Sequence, residues 1–223
     1  MIAILGLGFF IGLHHALEAD HLAAVATIAS RHGRPADIVK HGLTWGFGHA
    51  LTLLALGGAA FVLGRAIPDG LASALEFAVG AMLLLLGGQV LFRLWRSRVH
   101  VHVHEHQGDR HLHVHSHQDR PDHAHAHGFR WRTLAVGFMH GMAGSAALLV
   151  LAMAQVRDPV RGLAYIVVFG AGSMVGMGAL SALIAVPLAL SARFLTIANN
   201  GLQAVIGLST AGLGVMTMLA HLR

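Results

Sequence analysis

Gly12-Leu13-His14-His15-Ala16-Leu17-Glu18-Ala19-Asp20-His21 is the stretch whose reading decides the fold. Five ionisable side chains fall between positions 14 and 21, whereas residues 1–13 and 22–29 carry no ionisable side chain. The polar group therefore interrupts an apolar run of about 29 residues. A helix needs about 20 residues to cross the hydrocarbon core of a bilayer, so this run is long enough to span one. A carboxylate near the middle of such a span costs about 2.5–3.5 kcal/mol on insertion scales. Packing does not require it, and an ionisable cluster at that depth marks a functional site.

The remainder of the chain has the same character. Of its 223 residues, 55% are hydrophobic and 11% charged, with a mean hydropathy of +0.65. A soluble domain carries about 25% charged residues, so this is an integral membrane composition. The 15 basic and 10 acidic residues leave a formal charge of +5. The basic residues flank apolar segments, where they orient helices, so the excess does not point to nucleic acid. The chain has no cysteine, which excludes disulfides, thiolate metal sites and thiol relays. No basic region precedes the first apolar run, which reads as a retained helix rather than a cleaved signal peptide.

Six apolar segments follow one another, at about 2–29, 42–64, 71–95, 131–155, 162–188 and 197–221. The expected fold is an all-α integral membrane protein with six transmembrane helices. Pro187 is expected to end or kink the fifth. Basic residues on alternate sides divide eleven to four, the larger group including Arg31, Arg34, Lys40, Arg93, Arg96 and Arg132. That side is expected in the cytosol, with both termini outside a plasma or inner membrane.

A weak internal repeat runs through all three helix pairs. Gly8-Phe9 and Gly12 align with Gly137-Phe138 and Gly141, and Gly46-Phe47-Gly48-His49 with Gly170-Ala171-Gly172-Ser173. Glu76 to Gly80 and Gly87 align with Gln203 to Gly207 and Gly214. The reading is two inverted three-helix repeats, 1–95 and 131–223, separated by a histidine-rich cytoplasmic loop at 96–130. Three is an odd number of crossings, so the halves have opposite topology, as in secondary transporters with a midplane site between halves.

The candidate metal ligands begin with the opening stretch. At about 100° per residue, His14, Glu18 and His21 share one stripe of a regular helix, while His15 and Asp20 point elsewhere. Either the helix unwinds here or ligands and their supporting groups divide between two faces. His49 and His140 lie at comparable depth in the second and fourth segments, within glycine-rich surroundings that allow close helix approach. Imidazole with carboxylate suits Ni, Co, Zn or Cu(II). Ser145, Ser173 and Glu76 are accessory candidates.

Eleven of the 19 histidines stand in the long loop: His100, His102, His104, His106, His111, His113, His115, His117, His123, His125 and His127. They are expected to buffer metal from a disordered tract that condenses around ions. No GxxxxGK[ST] loop is present, so this chain does not hydrolyse ATP by that machinery. No HExxH motif is present either, and the chain is expected not to be an enzyme.

His15-Ala16-Leu17-Glu18-Ala19-Asp20-His21 resembles the signature of the nickel/cobalt transporter family: histidine, four residues, then Asp-His. The family commonly has aspartate where Glu18 stands, a conservative departure. Gly48-His49 resembles the glycine–histidine of the next family helix. His140-Gly141-Met142-Ala143-Gly144-Ser145 resembles the second-half motif of shorter, six-helix members, including urease-accessory-type nickel permeases. The resemblance implies transport of Ni²⁺ or Co²⁺, with His15, Asp20 and His21 central and the ion as substrate rather than bound cofactor. Import is the favoured direction, with a cytosolic metal acceptor as a partner. Efflux by proton antiport is the alternative, and a haem-binding membrane protein a remote one.

Overall fold

The computed structural model describes residues 2–32, 34–64, 67–96, 100–106, 109–115, 131–143, 158–194 and 196–222. The first apolar segment is not one helix. It divides into α1 (Ile2–His15) and α2 (Ala19–Ala29), separated by a turn at residues 16–18. In the turn, Leu17 N–H donates to the His14 carbonyl at 2.9 Å and Glu18 N–H to the His15 carbonyl at 3.1 Å. These are three-residue closures that tighten the end of α1. Glu18 is then extended (φ −62°, ψ 149°) and restarts the chain as the residue before α2. The break falls where the regular-helix angles left His15 and Asp20 unable to join the others.

The second segment also differs from expectation. α3 (Pro35–Thr52) begins well before residue 42, because Pro35 occupies its first turn, where a missing N–H leaves nothing unsatisfied. A π-helical turn, Leu53–Gly57, then leads to α4 (Gly58–Leu63). α5 spans Asp69–Arg96, α6 Trp131–Ala143, α7 Pro159–Phe194 and α8 Thr196–Ala220. Pro187 does not end α7, which runs through it to Phe194. Membrane helices tolerate such a proline because neighbouring groups satisfy the carbonyl it leaves unpaired.

Among the described residues, four helical stretches are long and apolar enough to cross a membrane: Pro35–Leu63, Asp69–Arg96, Val160–Leu190 and Ala198–Ala220. Ala3–His15 and Ala19–Ala29 are shorter apolar helices, because the break halves the first segment. The protein is thus a helical membrane protein. Within the histidine-rich segment, β1 (His100–His106) and β2 (Asp109–His115) pair antiparallel. Their register sets His100, His102 and His104 opposite His115, His113 and His111. Period-two sequence alternation matches this strand geometry.

Glycines bring the helix backbones together. A Cβ on Gly87 of α5 would lie 2.6 Å from the Gly207 carbonyl oxygen, and one on Gly214 of α8 2.6 Å from the Gly80 oxygen. These contacts exchange under the repeat register, in which Gly80 matches Gly207 and Gly87 matches Gly214. The same exchange relates α3 to α7: a Cβ on Gly46 would lie 3.0 Å from Met174 Cα and one on Gly170 3.0 Å from Ala50 Cβ. Gly141 of α6 rests on the His49 carbonyl, where a Cβ would be 2.6 Å away. Its counterpart Gly12 rests on Phe169 and Ser173. Such close approach is the packing mode of membrane helices, in which small residues admit a neighbouring backbone.

Candidate metal centre

The broken first segment places His15 at the last position of α1, and Asp20 and His21 in the first turn of α2. α3 contributes His49 and α6 contributes His140. All four imidazoles are buried, His49 completely and the other three at 8% exposure or less. Their rings form one cluster: His21 lies with its centroid 4.3 Å from His15, 5.0 Å from His49 and 4.4 Å from His140.

The carboxylate contacts favour one tautomer for each imidazole they meet. His15 Nδ1–H donates to Glu18 Oε1 at 2.9 Å, which leaves His15 Nε2 as an acceptor. That atom faces His49 Nε2 at 3.3 Å, so His49 is the donor there and its Nδ1 carries the lone pair. His21 Nδ1–H donates to Asp20 Oδ1 at 2.8 Å, and the same oxygen accepts the His21 backbone N–H at 2.8 Å. Asp20 Oδ2 accepts His140 Nε2–H at 3.1 Å. One carboxylate thereby orients two histidines from different helices. Among the described residues, His21 Nε2, His49 Nδ1 and His140 Nδ1 are buried with no hydrogen-bond partner. A buried polar atom without a partner costs about 1–3 kcal/mol, and these three ring nitrogens are free to take a ligand.

The donor atoms form two overlapping groups, His15 with His21 and His49, and Asp20 with His21 and His140. Within each group the donor atoms lie within 4.8 Å of one another. Neutral imidazoles whose far nitrogens donate to carboxylates are the usual metal-binding arrangement. The imidazoles and the carboxylate of the two groups fit a borderline divalent ion.

The structure divides the remaining sequence candidates. Glu18 holds His15 and belongs to neither donor group, its side chain 53% exposed. His14 and Glu76 likewise stand outside both groups. Ser173 is fully buried on α7 with its hydroxyl unpartnered among the described residues, beside Gly12 and one turn before His15. Ser145 lies outside the described residues, as do His117, His123, His125 and His127.

Two features escape sequence reading. Trp45 is fully buried and walls the cluster, its ring 5.5 Å from His21, 5.9 Å from His49 and 5.1 Å from His140. Its position four residues before His49, one turn along the same face, is the signal that could have found it. A second histidine pair, His32 and His41, packs ring to ring at 3.9 Å, with His41 Nδ1 2.6 Å from Thr133 Oγ1. His41 stands two turns before His49 on that face.

Apolar spanning helices around a buried imidazole–carboxylate set define an integral membrane protein with a metal-type donor site. The chain is 36% identical over 210 residues to urease accessory protein UreH of Bacillus sp. (strain TB-90), a match covering 94% of this chain and 88% of the relative. It belongs to the nickel/cobalt transporter family, among the urease-accessory-type members. No family model and no solved structure matches the chain.

Proposed function

We propose that this protein carries Ni²⁺, with Co²⁺ as the second substrate, inward across the plasma membrane through the His15–Asp20–His21–His49–His140 cluster. The observation that carries the reading is the convergence of His15, His21 and His49 donor atoms within 4.8 Å inside apolar helices, backed by Asp20. The relative's name ties it to urease, and the helix-one motif to nickel and cobalt. The protein acts as a carrier and not as an enzyme.

The carrier consists of two inverted three-helix units, 1–95 and 131–223, joined by a cytosolic histidine-rich segment at 96–130. The reciprocal glycine contacts of α5 with α8, and of α3 with α7, support this division. Import follows from energetics. A divalent ion gains about 4.6 kcal/mol per 100 mV on entering a negative interior, twice the single-charge value. At 1.4 kcal/mol per tenfold, that drives roughly a 2000-fold accumulation without a coupled ion. The histidine-rich segment receives the ion and hands it to a cytosolic acceptor.

Radioactive nickel accumulation in cells expressing the protein tests the proposal. Cellular nickel should exceed the empty-vector level and return to it in His15→Ala and His21→Ala. Nickel below the vector level would sink import and support efflux by proton antiport.

A further inference from the structure

A second charged feature lies at the basic end of the bundle, away from the imidazole cluster. A cavity there is ringed by Arg31 beyond the end of α2, Arg93 and Arg96 in the last turn of α5, and Arg132 in the first turn of α6. Its floor is formed by Leu85 and Phe92, and no carboxylate stands among the lining residues. Four arginines thus line one space with no carboxylate beside them among the described residues. Arg31 is tethered by its Nη2, which donates to Gln89 Oε1 at 2.5 Å, while its Nε is buried with no partner among the described residues. Burial, with Arg93 and Arg132 as neighbours, holds the Arg31 guanidinium below its ordinary basicity.

The floor gives the second half of the signature. Leu85 is 66% and Phe92 56% exposed, so the cavity wall continues onto the apolar outer surface of α5. A Cβ on Gly88, between them, would meet nothing within 4 Å, which leaves the approach from that surface clear. Guanidinium forks match phosphate oxygens in bidentate geometry. Basic pockets between membrane helices on the positive side take anionic lipid head groups. A metal cation is repelled here, and a free phosphate has no use for Leu85 and Phe92.

We propose that this cavity binds an anionic phospholipid, its phosphate held by Arg31, Arg93, Arg96 and Arg132 and its acyl chains laid along Leu85 and Phe92. The placement gives the lipid a structural task. α2 carries Asp20 and His21 in its first turn and ends at Ala29, two residues before Arg31, while α6 carries Arg132 in its first turn and His140 near its end. One phosphate bound to Arg31 and Arg132 ties together the two helices whose side chains meet at the Asp20–His140 hydrogen bond. The proposal stands whichever ion the cluster carries.

The test uses the purified full-length chain in neutral detergent, titrated with phosphatidylglycerol, phosphatidylcholine or inorganic phosphate and read by native mass spectrometry and thermal unfolding. Phosphatidylglycerol should be retained, should raise the melting temperature, and should be released by salt. R93Q/R96Q/R132Q should weaken its retention roughly 100-fold, at about fivefold per guanidinium. The corresponding lysine variant, which keeps charge but not the fork, should lose less. Equal retention by wild type and the glutamine variant would overturn the proposal. So would inorganic phosphate competing at the same concentration as phosphatidylglycerol, which would reduce the site to a free-anion site. Binding that appears only after residues 100–127 are deleted would show that loop carboxylates such as Glu105 and Asp109 fill the cavity, and would also overturn it. If the glutamine variant does not fold, the wild type decides alone. A preference for phosphatidylglycerol over phosphatidylcholine below twofold at low salt overturns the lipid reading.

Discussion

Replacing Asp20 with asparagine tests the site at its most connected atom. Asp20 Oδ1 accepts two bonds from His21, and Oδ2 accepts one from His140 at 3.1 Å. Asparagine preserves the oxygen facing His21 and places an N–H donor against His140 Nε2–H. The two donors repel unless His140 moves its proton to Nδ1, which removes the lone pair the cluster needs. A hydrogen bond to a charged acceptor contributes about 1.5–3 kcal/mol. At 1.4 kcal/mol per tenfold, its loss weakens ion binding by about 10- to 100-fold, the usual range for a group that supports metal ligands. Glu18→Gln is the contrast. Glu18 accepts one bond, at 2.9 Å, from a half-exposed position, and the glutamine oxygen can still accept it. Its effect should stay within about threefold, as expected of an exposed pair. The assay is nickel uptake into proteoliposomes under an imposed potential, with half-saturation read for each variant and melting temperature as a folding control. Asp20→Asn at wild-type half-saturation, or Glu18→Gln as damaging as Asp20→Asn, would refute the assignment of Asp20 as the shared anchor.

Three further outcomes follow from the same geometry. Gly141→Ala puts a Cβ 2.6 Å from the His49 carbonyl and should destabilise the fold by about 1–3 kcal/mol while reducing uptake, whereas Gly6→Ala, whose Cβ meets nothing, should do neither. Comparable melting temperatures for the two would show that α6 does not seat on His49. Trp45→Ala empties a fully buried wall of the cluster and should cost about 3–5 kcal/mol, with nickel half-saturation rising even where folded protein is recovered. Unchanged half-saturation in that recovered protein would show that Trp45 has no part in shaping the site. Deleting residues 100–127 should alter uptake capacity and selectivity more than the initial rate, and complete loss of uptake would place those residues in the path itself.

Much of the centre was legible because polar groups are so costly in an apolar run that each is conspicuous. The His14–His21 island, His49 and His140 stand out for that reason. The helical angles also announced the break, since no regular helix brings His15, Asp20 and His21 together. What the angles could not settle was which set prevails. A straight helix favours His14, Glu18 and His21, and the turn at residues 16–18 reassigns them. That choice depends on Asp20 finding His140, 120 residues away, which no local pattern encodes. Trp45 was hidden for the opposite reason, as an apolar ring in an apolar helix carries no contrast. Helix limits differ from expectation at both prolines: Pro35 sits in the first turn of α3, where no N–H is needed, and α7 continues past Pro187 to Phe194.

The Asp20–His140 hydrogen bond links the first half of the chain to the second. Its two partners sit on α2 and α6, so in the proposed carrier a rocking of one half against the other would pull on this bond. Parting them releases His140 from its anchor and strips the cluster of one imidazole at the moment the bundle opens. In the proposed carrier, affinity and conformation would then be a single variable: the closed shape would grip the ion, and opening would itself be the act of letting go. A carrier built this way needs no separate latch, and mutations that tighten the cluster should slow its turnover.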